Sequence, residues 1–251
     1  MVESSETVKI VVSIIFFEHT LALVLHCVGL CLLLTTGRKA IATLLIIQLS
    51  FAELCYTSYD GFFTASHYIK SGHIPFINRK EQTIFLFIYS LQFLTLIAIS
   101  VDRVLAVKLA LRYKILVRRR ALAVVIICIW ITSLALALII WFIQAITFNK
   151  MLVALESLVI GVYICSYGYI IFAMRLKQTQ SRSDRKLSIK VPFLLVLTLI
   201  CFLLIPDLVL AAGYPFSIWF LPVFWLNNIS DALIYIFEMP VCRKRMKTPF
   251  L

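Results

Sequence analysis

Seven long stretches of this chain are almost free of charge, at about residues 9–36, 40–66, 81–107, 122–147, 151–174, 187–214 and 216–237. Each is 22 to 28 residues long, and about 20 apolar residues suffice to span a ~30 Å hydrocarbon core at ~1.5 Å of rise per residue. Inside lipid no water satisfies a backbone N–H or C=O, so a segment that crosses alone must be a helix. The alternating pattern of a membrane β-barrel is absent. Composition agrees, because 62% hydrophobic and 14% charged residues leave too little polar surface to coat a soluble chain of 251 residues. The first run carries only Lys9 at its start and is too long for the apolar core of a signal peptide, so it is read as a span. The expected fold is an all-α membrane protein, a seven-transmembrane helix bundle forming a single domain over residues 1–251.

Orientation follows from the placement of basic residues, which favour the cytoplasmic side. With the N-terminus outside, 19 of the 24 Lys and Arg fall on inner loops and span ends, and only Lys9, Lys70, Arg79, Lys80 and Lys150 lie outside. The N-terminus is therefore expected outside and the C-terminus inside. The net charge of +12 then serves topology and contact with anionic membrane lipid rather than nucleic acid. The segments between spans are short; the connection between the fourth and fifth is read as a few residues around Asn149 and Lys150.

Polar groups inside the spans demand an explanation, since an ionisable side chain at the centre of a membrane helix costs roughly 2.5–3.5 kcal/mol on insertion scales. Glu53, Asp102, Glu156, Asp207 and Asp231 qualify, with Glu18 as a weaker sixth. The four histidines, His19, His26, His67 and His73, are scattered and read as packing or surface residues. No nucleophile, base and orienting group recur together and no metal-ligand cluster is seen, so neither an enzyme nor a cofactor is expected.

Several of these residues stand in motifs. Ile99-Ser100-Val101-Asp102-Arg103-Val104, followed by Ala110-Leu111-Arg112-Tyr113, resembles the Asp-Arg-Tyr region and second inner loop of rhodopsin-like (class A) G-protein-coupled receptors. In the same order as in those receptors stand Leu49-Ser50-Phe51-Ala52-Glu53, Trp130, Tyr167, Pro206 and Asp231-Ala232-Leu233-Ile234-Tyr235, with Cys242-Arg243-Lys244 after the last span. Within the family the chain is most similar to the melanocortin, adenosine, lysophospholipid and cannabinoid cluster. Like melanocortin receptors it has Asp in the seventh-span motif, a short loop after span four and no proline in span five. Phe63, Asn78 and Gln82 stand where the melanocortin calcium site would need acids. Other departures are the absence of Asn from span one, Val104 for Tyr, Leu204 for the span-six Trp, and Ala232 for the span-seven Pro.

The resemblance implies a plasma-membrane receptor that passes an extracellular ligand's signal to a heterotrimeric G protein. It implies coupling and activation roles for Asp102, Arg103, Leu111, Tyr167 and Tyr235. It places a ligand pocket among Phe85, Leu86, Tyr89, Glu156, Leu204, Asp207, Leu208 and Trp225, with the ligand unknown. It sets Glu53 opposite Asp231 beside Gln92, where two carboxylates must share a proton or hold a cation, sodium being the family's ion. Two alternatives stand beside this reading: a receptor-like protein that does not signal alone, and a seven-span transporter or proton relay.

Overall fold

The structure is a computed structural model that describes residues 5–35, 41–71, 79–109, 113, 119–142, 145–177, 194, 197–211 and 220–238, and among these all regular structure is helical. The long helices are α1 (Ser5–Thr35), α2 (Ile41–Ser71), α3 (Arg79–Leu109), α4 (Arg119–Phe142) and α5 (Ala145–Lys177). A π-helical turn at Ile200–Leu204 leads into α6 (Ile205–Ala211), and α7 is Phe220–Glu238. Among the described residues, four segments are long and apolar enough to cross a membrane: Lys9–Leu34, Lys80–Leu109, Arg120–Ile139 and Leu152–Ala173. The second helix is more polar, carrying Glu53, Tyr56, Thr57, Ser58, Tyr59 and Asp60 in one run.

The turn between α4 and α5 lies earlier than expected. The helix α4 ends at Phe142 rather than near Thr147, and Asn149 and Lys150 sit inside α5. Neither residue is a Gly or Pro, so a polar pair alone does not interrupt the helix. Residues 178–193 and those after Glu238 lie outside the described residues.

The helices close into a ring. The first packs between α2 and α7; α3 packs against α2, α4 and α5; and α5 and α7 both meet the π-turn and α6. Thus α3 is the most enclosed, with 61% of its membrane segment buried against 22% for α4. The reason is legible in α4 itself, where Ile129, Ser133 and Ala137 are buried at intervals of four residues while Val124, Ile127, Ile131, Leu134 and Leu138 are exposed. One narrow stripe with two small residues lets α4 approach α3 closely, and the rest of the helix is apolar outward, as lipid demands.

Two local features bend the frame. Pro206 has no N–H to donate to Phe202, and its ring crowds that carbonyl. The chain answers by widening the preceding turn, so that the N–H of Ile205 donates to the carbonyl of Ile200, five residues back. In α7 the position of the family's proline is Ala232, and the helix runs unbroken from Phe220 to Glu238.

The seam between α1 and α2 is set by one stripe of α1, where Val11, Ile15, His19, Ala22, His26 and Leu33 are all buried. Gly61 of α2 lies against it so closely that a methyl group there would sit 2.8 Å from His19 Cδ2 and 3.2 Å from Cγ. Gly61→Ala should therefore destabilise the purified protein by about 1–3 kcal/mol, the usual cost of overpacking. Gly168→Ala, where the added methyl meets nothing within 4 Å, should leave the melting temperature unchanged or slightly raised; equal behaviour of the two variants would contradict this packing.

Candidate functional site

The polar side chains gather in three places along the ring, two of them centred on α3. The first is an aromatic and acidic cluster between α2, α3 and α5. Tyr89 donates its hydroxyl hydrogen to Glu156 Oε1 at 2.5 Å, and both side chains are buried, to 4% and 2% exposure. Phe85 stacks on Tyr89 at 5.2 Å, Phe93 meets Tyr89 edge-on at 4.5 Å, and Tyr56 meets Phe85 edge-on at 5.5 Å. Residues 85, 89 and 93 fall on one face of α3 by their spacing of four. Leu86 is buried in the same cluster and Leu204 packs against it.

The structure thus brings Phe85, Leu86, Tyr89, Glu156 and Leu204 together. Leu208 does not join them. It is 46% exposed and is not among the residues packed in that cluster. The side chains of Asp207 and Trp225 lie outside the described residues. Sequence reading missed Tyr56; its position one turn after Glu53 on α2 was the available signal.

The second place is the C-terminal end of α3. Asp102 is buried at 7% exposure, while the Arg103 side chain is 39% exposed and its Nε stands 3.8 Å from Asp102 Oδ2. That distance is at the edge of ion pairing. The closer partner of Asp102 is Tyr113, whose hydroxyl donates to Oδ1. Burial first, and then the hydrogen bond to Asp102, push the Tyr113 phenol well above the ordinary tyrosine range, so it remains a donor at any physiological pH. Tyr167 of α5 lies near enough to feel the charges of both Arg103 and Asp102, and its ring tilts against Tyr163 at 5.6 Å. Leu111 and the Tyr235 side chain lie outside the described residues.

The third is the middle of the ring. Glu53 and Asp231 are both buried, at 3% and 6% exposure. Each has partners of its own. Asp231 accepts from Asn227 Nδ2 at 2.9 Å and from Thr198 Oγ1 at 3.1 Å. Glu53 Oε2 faces His26 Nδ1 at 3.3 Å, within ion-pair range although not aligned as a hydrogen bond. Gln92 is buried at 8% exposure. His26 and His19, at 1% and 6% exposure, are neither surface residues nor mere packing, which corrects the reading made from their scatter. The signal was present: each histidine is seven residues from the other, as Glu53 is from Asp60.

The central helix α3 thus carries the Asp102-Arg103 pair near its C-terminal end and the aromatic cluster around Tyr89 nearer its middle. The model of the rhodopsin family of seven-transmembrane receptors matches residues 22–221, about four-fifths of the chain. The chain is a rhodopsin-family receptor. No curated protein is similar enough to it to count as a match. The receptor is accordingly a multi-pass membrane protein, with the Asp102-Arg103 pair and the Tyr89–Glu156 pair both inside the matched region.

Two measurements test this geometry. Tyr89→Phe should cost the purified receptor about 1–3 kcal/mol, because it leaves a buried carboxylate short of a donor. Combined with Glu156→Leu, which removes the acceptor as well, the loss should be clearly less than the sum of the two single losses; additive losses would mean that the two side chains do not interact. At the C-terminal end of α3, Tyr113→Phe should speed amide hydrogen exchange in the segment around residue 113, since the bond to Asp102 anchors it.

Proposed function

We propose that this receptor carries an extracellular ligand signal across the plasma membrane to a heterotrimeric G protein, with the N-terminus outside and the C-terminus inside. The observation that carries the reading is the exposure of Arg103 beside buried Asp102. The guanidinium is offered at the inner face of α3, held only at 3.8 Å, while Tyr113 takes the nearer carboxylate oxygen. A partner that presents carbonyl or carboxylate acceptors can therefore engage Arg103 without first breaking a tight ion pair. In this reading Leu111 packs against the G protein from the second inner loop, and Tyr167 and Tyr235 turn towards Arg103 on activation.

The ligand would bind at the outer part of the ring, against Phe85, Leu86, Tyr89 and Leu204, and Asp207 and Trp225 are assigned to the same pocket by the family resemblance. Glu156 lies behind Tyr89 and orients its hydroxyl. The aromatic and aliphatic majority suits an organic or peptide ligand with a hydrogen-bonding or cationic group. Within the family we place the receptor nearest the melanocortin, adenosine, lysophospholipid and cannabinoid cluster, on its Asp231 and its short connection between α4 and α5.

A second reading is favoured by one observation. The unbroken α7 through Ala232 lacks the bend that a proline would give the inner end of that helix. A receptor-like chain that signals only with a partner receptor would tolerate such a helix. Expression of the chain with a panel of G proteins separates the two, read as second-messenger output with and without candidate ligands. Signalling by the chain alone, reduced at least tenfold in Arg103→Ala at equal surface expression, is expected. Undiminished signalling in that variant removes Arg103 from the coupling site, and output that needs a co-expressed receptor supports the second reading.

A further inference from the structure

The helices α1 and α2 are joined by two polar rungs. His19 Nε2 lies 3.1 Å from Asp60 Oδ2, and His26 Nδ1 lies 3.3 Å from Glu53 Oε2. Advancing seven residues along α1, from His19 to His26, matches retreating seven along α2, from Asp60 to Glu53. Seven residues are close to two turns of helix, so in an antiparallel pair both rungs fall on one seam. Between them lie Ala22 and Thr57, both buried. Gly61 leaves the notch that receives the His19 ring.

The outer rung shows which atoms carry protons. His19 Nδ1 lies 2.8 Å from the carbonyl oxygen of Ile15, and a carbonyl can only accept, so Nδ1 is protonated. Nε2 in turn faces a carboxylate. Both ring nitrogens therefore point at oxygens that accept hydrogen bonds, the environment of an imidazolium. Among the described residues the buried basic side chains are His19 and His26, and no Lys or Arg is buried. Asp60 faces His19 across the seam, Glu18 precedes it on α1, and Glu53 faces His26. A buried carboxyl must keep its proton or find a positive partner, because the desolvated charge is costly alone.

The family implies a sodium ion near Glu53 and Asp231, and the residues present do not suit one. Asp231 Oδ1 accepts from Thr198 and Oδ2 from Asn227, and Glu53 Oε2 faces the His26 ring, which brings its own nitrogen where an ion would need an oxygen donor. We propose that the two histidine–carboxylate rungs form an internal clasp between α1 and α2, in which the His26 imidazolium takes the place of the sodium ion as counter-charge to Glu53. The clasp uses only the assignment of α1 and α2 to the membrane, and does not depend on coupling to a G protein.

The test is nitrogen NMR of the purified full chain in lipid nanodiscs, labelled with [15N]histidine. His67→Gln and His73→Gln together leave His19 and His26 as the histidines observed; if that chain does not fold, difference spectra of the native chain against His19→Gln and against His26→Gln assign the same signals. At neutral pH both rings should show the two matched nitrogen shifts of an imidazolium. The charged signal of His26 should disappear in Glu53→Gln and that of His19 in Asp60→Asn. Exchanging sodium chloride for choline chloride should move neither signal nor the melting temperature. A neutral-tautomer pattern at either ring, or a sodium-dependent shift of His26 or of the melt, overturns the clasp. Neither agonist nor G protein is needed, so failure here leaves the coupling proposal standing, and a silent receptor leaves the clasp standing.

Discussion

Hydrocarbon offers a backbone no hydrogen-bond partners, and the whole structure is an answer to that one constraint. Each crossing segment satisfies itself as a helix, and once it has done so lipid gives it no reason to leave lipid for another helix. Association must then come from close packing and from the few polar groups that lipid cannot solvate. The seams of this receptor are built accordingly. Small residues bring α4 onto α3 through Ser133 and Ala137, and Gly61 brings α2 onto the ring of His19. Polar pairs tie α1 to α2, α3 to α5, and the segment before the π-turn to α7.

These pairs cross between helices at different depths, which divides the ring into regions with separate tasks. Tyr89 and Glu156 fix α3 against α5 in the aromatic part of the core. Asp231, with Asn227 and Thr198, fixes α7 to the segment just before the π-turn. That segment is the one whose backbone Pro206 has already loosened, so the polar contacts of Asp231 are placed where the helical ladder is weakest. A helix that is held at one level and widened at the next is suited to pivot rather than to slide.

At the C-terminal end of α3 the balance is different. Asp102 is buried and bonded to Tyr113, whereas Arg103 is only partly covered and loosely held. The carboxylate is engaged by Tyr113, and the guanidinium is left largely unengaged by it. Val104 follows where the family has a tyrosine, and Tyr113 supplies a phenol to Asp102 from eleven residues further along.

The sequence by itself determined the helical class, the membrane and the family, because these depend on lengths of apolar sequence, on the placement of Lys and Arg, and on motifs that are local in the chain. Asp102-Arg103 and the Phe85, Tyr89 face of α3 were legible for the same reason. What only the tertiary structure decided were the partners of the buried charges. Glu53 faces His26, Asp231 accepts from Asn227 and Thr198, and Glu156 accepts from Tyr89. A side chain's spacing on its own helix fixes its face, but the neighbour it meets depends on how far a second helix is shifted and rotated, and in lipid that is settled by a few close contacts such as Gly61 against His19.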